Sequence, residues 1–385
     1  MTKLKLAAVF TAPAHYQASI FKQLNVELGE SFLAIFQSAG QVKAQWNEAW
    51  QATIVNTTGL LENYQHHILE QSSSSQEALG TLLSDFGPSA VLINSHKAPI
   101  CSWAEHWAHQ HNARVLLRSS PTHLALEPLL RRTLRTLYLK KRYRTIDAFC
   151  AIGTHAHEHY SSISARPQDV YMSPYCLDEF FLQPLAARRE QLRSAFREKH
   201  GIKNETVLLI CGRLDPRKRI DWSLQESIKL AQERALRLIV LGDGPQRQLV
   251  LEAANAHPKL ITWLGFQQRQ GVAEALAGSD VLLLPSIHEP WGAIVNEALL
   301  FRVPVVASSG VSAAADLVLD GQTGFNFPRN DRAQFRQAIV RSCDLIQAGL
   351  QDEAFDSLSR RFSVAAAAAG VVEAASAYKQ APPHV

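Results

Sequence analysis

Directly after the β-like run Thr206–Gly212 (TVLLICG) the chain reads Gly212-Arg213-Leu214-Asp215-Pro216-Arg217-Lys218-Arg219. A glycine there allows a tight turn or a close backbone approach to a ligand. Arg213 offers paired donors to an anion, and Lys218 adds a point charge on a flexible stem. Two cations five residues apart suit a diphosphate. A charged surface loop with Asp215 paired to Lys or Arg is the alternative, and this segment by itself leaves both open. The second chemical stretch is Pro285-Ser286-Ile287-His288-Glu289-Pro290-Trp291-Gly292-Ala293-Ile294-Val295-Asn296-Glu297. Pro290 restricts Glu289 to extended conformations. Gly292 is expected to open a helix whose free N–H groups at Gly292, Ala293 and Ile294 favour a phosphate. Glu297, one turn further in, can reach a sugar on that phosphate. In the competing reading Glu289 caps the helix and Glu297 faces solvent. A third turn, Gly242-Asp243-Gly244-Pro245, is only a fragment of a dinucleotide fingerprint, because position 247 is Arg. It reads foremost as a plain turn.

The elements that must carry these loops are legible as an alternation. Strands are expected at Thr206–Gly212, Leu236–Gly242, Ile261–Phe266, Asp280–Ser286 and Pro304–Ser308. Helices are expected at Ile220–Arg234, Pro245–His257, Gly271–Ala277 and Trp291–Phe301. Continuous apolar strands between helices imply a parallel sheet covered on both faces, a doubly wound α/β domain. The first half repeats the rhythm less cleanly, with strands at Lys3–Thr11, Phe32–Gln37, Ala90–Ser95, Arg114–Ser119 and Ala148–Gly153 and a loop at Gln71–Gln76. The Ala-rich Val364–Tyr378 is helix-prone. The whole predicts two similar α/β domains facing a cleft, residues 1–180 with the terminal helix 364–385, and residues 181–363. Ligands in such sheets bind beyond the carboxyl ends of the strands.

From Cys211 to about Phe327 the chain resembles the C-terminal domain of retaining GT-B glycosyltransferases of family four, the glycosyl transferases group 1. The resemblance rests on GRLDPRK (212–218), VLGDGP (240–245), WLGF (263–266), DVLLLPS (280–286), EPWGAIVNEA (289–298), VPVVAS (303–308), DLV (316–318) and DGQTGFNFP (320–328), in order and in register. SPYCLDEFF (173–181) resembles the segment that closes the N-terminal domain in that family. The resemblance implies two Rossmann-like domains, with the terminal helix crossing back to the first. It implies that Arg213 and Lys218 hold the donor diphosphate, Glu297 the ribose hydroxyls and Glu289 the transferred sugar. The backbone at Gly212 and at Gly292, Ala293 and Ile294 would meet phosphates, and Gly265 and Phe266 the base. The implied reaction moves a hexose from a nucleotide sugar to a glycan or lipid-linked acceptor in surface polysaccharide assembly. A small soluble acceptor, a related phosphorylase and a non-catalytic sugar-nucleotide binder are the alternatives. The chain departs from the family at Thr11-Ala12-Pro13-Ala14-His15-Tyr16, where many members carry Gly-Gly, and at Arg302, where Gly is frequent.

Other candidates are thinner. In the first half His15, Arg118 and Ser119 are candidate acceptor or cleft residues, with Ser120, His96 and His123 behind them. His155, His157 and His159 have helical spacing but no evident third ligand. No D-x-D pair exists in the chain, so a metal clamp on the diphosphate is unsupported and the cations would replace it. Neither a metal nor another cofactor is expected, the nucleotide sugar being a substrate.

Composition sets the frame. The 385 residues are 46% hydrophobic and 19% charged, which excludes wholesale disorder. Five cysteines without a C-x-x-C pair read as free thiols in a reducing compartment, hence a cytoplasmic location. The opening MTKLKLAAVF reads as a first strand rather than a signal peptide. The net charge of +4 is too small to indicate nucleic acid. Its distribution says more. Between Glu127 and Asp147 there is no acid, while Arg131, Arg132, Arg135, Lys140, Lys141, Arg142 and Arg144 all fall there. Leu130, Leu134 and Leu137 recur at helical spacing, with Leu129 and Tyr138 beside them. Helix 131–144 is therefore basic and amphipathic. Either its leucines pack on their own domain, or it lies on an anionic membrane face, with the protein peripheral on the inner side.

Overall fold

The computed structural model describes residues 4–39, 45–47, 52–54, 59–69, 75–120 and 129–377. The chain divides into two compact units. One comprises Met1–Lys43, Asn56–Asp178 and Phe362–Val385, the other Ala44–Val55 and Glu179–Arg361.

The first unit is built on strands β1 (Leu6–Phe10), β2 (Phe32–Phe36), β5 (His66–Ile68), β6 (Ala90–Ile93), β7 (Arg114–Leu117), β8 (Ala148–Ala151) and β9 (Val170–Met172). A separate antiparallel pair, β3 (Gln45–Asn47) and β4 (Ala52–Ile54), falls between β2 and β5 in sequence. The seven strands pair in parallel in the order β5-β2-β1-β6-β7-β8-β9. Helices α1 (His15–Leu28), α2 (Ser75–Phe86), α3 (Pro99–Gln110), α4 (Leu129–Arg142) and α5 (Thr154–Ile163) link them. Every residue of β1, β6, β7 and β8 is buried, as continuous apolar runs in a two-sided parallel sheet require. The loop expected at Gln71–Gln76 ends earlier than its composition suggests, because Ser75 and Gln76 already belong to α2. Residues 71–74 and His123 lie outside the described residues.

The second unit carries β10 (Thr206–Cys211), β11 (Leu236–Leu241), β12 (Ile261–Trp263), β13 (Val281–Leu284), β14 (Val305–Ser308) and β15 (Gly324–Phe327). They pair in parallel in the order β12-β11-β10-β13-β14-β15. Its helices are α6 (Glu179–Ala186), α7 (Arg189–Lys199), α8 (Ile220–Leu230), α9 (Arg247–Ala256), α10 (Arg269–Gly278), α11 (Ile294–Leu300), α12 (Ala314–Leu317), α13 (Arg332–Ala348) and α14 (Asp352–Arg361). Connections run outward from β10 to β12, then return to β13 on its other side. That reversal is a topological switch point, the position at which doubly wound sheets bind their ligands.

The last helix, α15 (Val364–Ser376), returns to the first unit. Val364, Ala367, Ala368, Val371 and Ala374 join the core formed by Leu6, Phe10, Phe21 and Leu116. Ser363 caps the helix, accepting from the Ala366 amide at 3.1 Å. Its small side chains let it lie against β9. The Ser173 hydroxyl donates to the Ala367 carbonyl at 2.7 Å, and a Cβ on Gly370 would stand 1.8 Å from the Met172 carbonyl oxygen. Among the described residues no helix is long and apolar enough to cross a membrane. All five cysteines are free thiols.

Gly370→Ala should therefore lift α15 off β9 and cost about 2–3 kcal/mol, the range of an overpacked core. Chemical denaturation of the two proteins checks this, and equal midpoints would contradict the packing.

Candidate functional site

The switch point of the second unit gathers the residues singled out after β10 and β13. Gly212, at φ +137°, turns the chain away from the sheet. The backbone there is crowded as well: a Cβ on Gly242 would lie 1.8 Å from the Gly212 carbonyl oxygen. A hydrogen-bond ladder ties the neighbouring turns together, from the Gly212 amide to Leu241 (3.1 Å), from Leu214 to Asp243 (2.9 Å) and from Gly242 to Gly265 (2.8 Å). The loop then makes one 3-10 turn over Pro216–Lys218, capped by Asp215, which accepts from the Arg217 amide at 2.9 Å. The Ile287 amide donates to the Arg217 carbonyl at 2.7 Å, which fastens the loop after β13 to the loop after β10.

Two side chains meet across that fastening. Lys218 Nζ stands 2.6 Å from Glu289 Oε1. The ammonium lies over the backbone of Gly212, where a Cβ would come within 3.3 Å of it. Glu289 is held from three directions. Its amide donates to the Gly310 carbonyl at 2.9 Å, it forms a parallel bridge with Val311, and the Ser286 hydroxyl donates to Oε1 at 3.1 Å. Its second carboxylate oxygen, Oε2, accepts no hydrogen bond among the described residues. Arg213 is less committed. Its guanidinium is 3.9 Å from Asp215, whose carboxylate binds Arg217 at 3.0 Å instead. The hydrogen bond from Arg217 pulls the Asp215 carboxyl below the usual carboxylate range. Arg213 Nε is buried with no acceptor among the described residues, a polar group that costs free energy unless a ligand satisfies it.

Glu297 sits within α11. Burial pushes its carboxyl up from 4.5 to about 7, with Arg269 pulling it back down. Part of the residue reaches solvent, but the carboxyl itself is desolvated by surrounding protein. The neighbouring thiol of Cys211 feels both the Glu297 and the Lys218 charges, and burial drives it up to about 12. Glu297, Cys211 and Lys218 thus share one neighbourhood. Gly265, at φ +67°, and Phe266 follow β12, two strands from β10 on the side away from β13.

The expected helix opening at Gly292 is corrected. Gly292 takes φ +104°, Ala293 is the N-cap, and α11 starts only at Ile294 and runs for seven residues. The glycine is needed for the turn, and its missing side chain leaves room for Val311, whose methyl would be 2.9 Å from a Cβ there. The amides of Gly292, Ala293 and Ile294 still stand at the start of the helix.

In the first unit, Arg118 is buried and spends its guanidinium on the chain itself. It donates to Ser173 Oγ (2.9 Å) and to the carbonyls of Ser173 (3.2 Å) and Pro174 (2.9 Å). This makes it a scaffold arginine. The Ser119 hydroxyl is 3.0 Å from Tyr160 Oη, which donates to the Ser119 carbonyl at 2.9 Å. His15 is the first residue of α1, and its carbonyl accepts from Ser19 at 3.3 Å. His96 is held low, at about 4, by burial and the nearby Lys97 and Arg142. Among the described residues no three His, Cys, Asp or Glu side chains gather as a metal site.

Three participants escape sequence reasoning. Ser286 stands in a quoted motif three residues before Glu289, and that spacing is its only signal. Arg269 and Val311 reach Glu297 and Glu289 from α10 and the loop after β14, and only the fold brings them there.

Residues 205–344 match the family described as glycosyl transferases group 1. Alpha-D-kanosaminyltransferase of Streptomyces kanamyceticus is 26% identical over 170 residues, 43% of each chain. A glycogen synthase of Thermus thermophilus is 29% identical over 177 residues, 46% of this chain and 39% of that one. The chain thus spans less than half the length of these curated relatives. Among solved structures, Anabaena HepE in complex with UDP and glucose superposes with a TM-score of 0.67 at 18% identity, over 96% of this chain and 98% of that one. The fold of the two α/β units is therefore that of GT-B glycosyltransferases.

The raised Glu297 carboxyl has a stability consequence. Folding keeps it neutral up to about pH 7, whereas the unfolded chain ionises near 4.5. Its contribution is intact below 4.5 and is lost as pH rises through 7. Glu297→Gln should leave stability unchanged at acid pH and raise it above pH 7 by up to about 3 kcal/mol. Denaturation at both pH values checks this, and a destabilised variant at high pH would contradict it.

Proposed function

From the match of residues 205–344 to the glycosyl transferases group 1 family, we infer that this protein transfers a hexose from a nucleoside-diphosphate sugar to a glycan or lipid-linked acceptor, with retention at the anomeric carbon and without a metal ion. The observation that carries the reading is the pairing of Lys218 with Glu289 at the sheet's switch point. A crevice at that position is where nucleotides bind in doubly wound sheets. The groups there match a donor's chemistry: a half-committed Arg213, an ammonium on a flexible stem that can exchange its carboxylate partner, and the Glu289 carboxylate itself.

In this reading Arg213 and Lys218 take the diphosphate, with Lys218 exchanging Glu289 for a phosphate oxygen. Glu289, held by Ser286, turns its carboxylate to the hydroxyls of the transferred sugar. Glu297 takes the ribose hydroxyls, the amides of Gly292, Ala293 and Ile294 and the backbone of Gly212 face phosphate oxygens, and Gly265 and Phe266 lie against the base. As the bond to the anomeric carbon breaks, negative charge grows on the leaving phosphate, and fixed cations stabilise it where it appears. The departing phosphate itself takes the acceptor proton. The first unit, with His15 and Ser119 at its strand ends, receives the acceptor. The HepE structure, which holds UDP and glucose, supports a nucleotide-sugar donor. Surface polysaccharide assembly is the setting proposed for the acceptor.

Arg213→Ala and Lys218→Ala should each cut turnover on the order of 10²–10³-fold; Arg213→Ala should leave the melting temperature little changed, whereas Lys218→Ala, which strips Glu289 of its partner, should lower it. A donor supplied at 100 times its Kd should stabilise the wild type by about 2.7 kcal/mol. Wild-type turnover in either variant, measured as nucleoside diphosphate released, would overturn the assignment. Turnover with inorganic phosphate in place of an acceptor would point to a phosphorylase.

A further inference from the structure

Among the described residues seven large apolar side chains are exposed, and four of them, Leu130 (75%), Leu134 (60%), Leu137 (60%) and Tyr138 (52%), lie on α4. At steps of three and four residues they form one stripe along about 12 Å of helix. Among the described residues nothing buries these leucines, so their packing on their own domain, one of the two readings open from the sequence, is not seen there. The stripe is not a frayed end that could roll inward, because the opposite side of α4 is pinned. Leu139 is buried. Arg142 binds both carboxylate oxygens of Glu105 on α3, at 2.8 and 2.5 Å, and the carbonyl of His96 at 3.2 Å. Tyr143, just beyond the helix, is buried against Phe149, Tyr160 and His96. The helix presents the stripe outward in a fixed orientation.

The stripe's surroundings select what can cover it. Arg131, Arg132, Lys140, Lys141 and Arg144 are exposed around it, with no acid between Glu127 and Asp147. A second copy meeting this face across a two-fold axis would set cations against cations. Nucleic acid would satisfy the cations but leave the leucines in water. An interface of anionic headgroups over acyl chains satisfies both. Phosphate and carboxylate groups meet the arginines and lysines, the leucines enter the acyl boundary, and Tyr138 sits at the level where its ring is buried and its hydroxyl wet. Lys141 continues the stripe at its end, and its stem can lie along the apolar layer with the ammonium in the headgroups. We propose that the outer face of α4 is a docking surface for a lipid bilayer bearing anionic lipids, with α4 lying in the plane of the interface. The surface stands on the first unit alone and is independent of the donor chemistry of the second.

The test is co-sedimentation of the full chain with vesicles of phosphatidylcholine alone or mixed with phosphatidylglycerol. The expected result is binding at least about tenfold stronger to the anionic vesicles, weakening as salt rises. The variant Leu130→Ser/Leu134→Ser/Leu137→Ser and the variant Arg131→Gln/Lys140→Gln/Lys141→Gln should each lose about tenfold or more. Both should unfold at the wild-type temperature, since only exposed side chains change, and both should keep nucleoside diphosphate binding. Equal binding to both vesicle types overturns the proposal. So does anionic-vesicle binding that the leucine variant retains, which is the behaviour of a site for any polyanion. A protein that ignores vesicles but self-associates through the leucines overturns it as well.

Discussion

The contact between Lys218 and Glu289 organises the edge of the second unit at which its strand order reverses. It joins the loop after β10 to the loop after β13, and these two loops are neighbours only because the strand order reverses between them. An ammonium and a carboxylate at 2.6 Å, both mostly shielded from water, hold each other firmly, and removal of one leaves the other's charge uncompensated. The surrounding backbone is arranged to permit that contact. Gly212 leaves space for the ammonium, Gly242 lets the neighbouring turn close on Gly212, and the Glu289–Val311 bridge fixes the carboxylate from the other side. Lys218 is nonetheless on a flexible stem, so the same pair that joins the two loops can open for a stronger anion.

The first unit uses its polar groups differently. Its buried arginine, Arg118, binds the segment Ser173–Pro174, and Ser173 in turn binds α15. Arg114 pairs with Asp169 at 2.9 Å and Arg166 with Asp147 at 3.3 Å, all four buried. The ion pairs tie β7 and the approach to β8 to the turn before β9, and the hydrogen bonds of Arg118 and Ser173 tie residues 173–174 to α15. The contrast lies in the partners: Arg118 has two carbonyls and a hydroxyl in reach, whereas Arg213 has a carboxylate at 3.9 Å that it shares with Arg217.

Strands β10 to β14 of the second unit were legible because each is a short, mostly apolar run that ends on or is followed within two residues by a glycine or serine, and the loops of interest follow those runs. Legibility failed where the local pattern and the fold disagree. β15 is four residues long and opens on Gly324, which passes so close to Val305 that a Cβ would lie 2.0 Å from its carbonyl oxygen. Its strand character comes from that pairing and not from propensity. β5 is His66–Ile68, with both histidines exposed, and reads as polar. α11 starts two residues late because Gly292 serves the turn rather than the helix. The partners of the site carboxylates, Arg269 and Val311, are separated from Glu297 and Glu289 by more than twenty residues, and no local signal marks such a pairing. The exposed leucines of α4 illustrate the reverse case: spacing showed an amphipathic helix, but only the structure shows which side is turned outward.

The central claim is that Lys218 passes from Glu289 to a donor's diphosphate. Calorimetric titration of the wild type, Lys218→Met and Glu289→Gln with UDP and with GDP, which have phosphates but no transferable sugar, tests it directly. The account predicts that Lys218→Met weakens binding of the preferred nucleotide by about tenfold or more, whereas Glu289→Gln, which frees the ammonium and meets no sugar, binds it as well as the wild type or better. Equal weakening by both substitutions, or by neither, would contradict it.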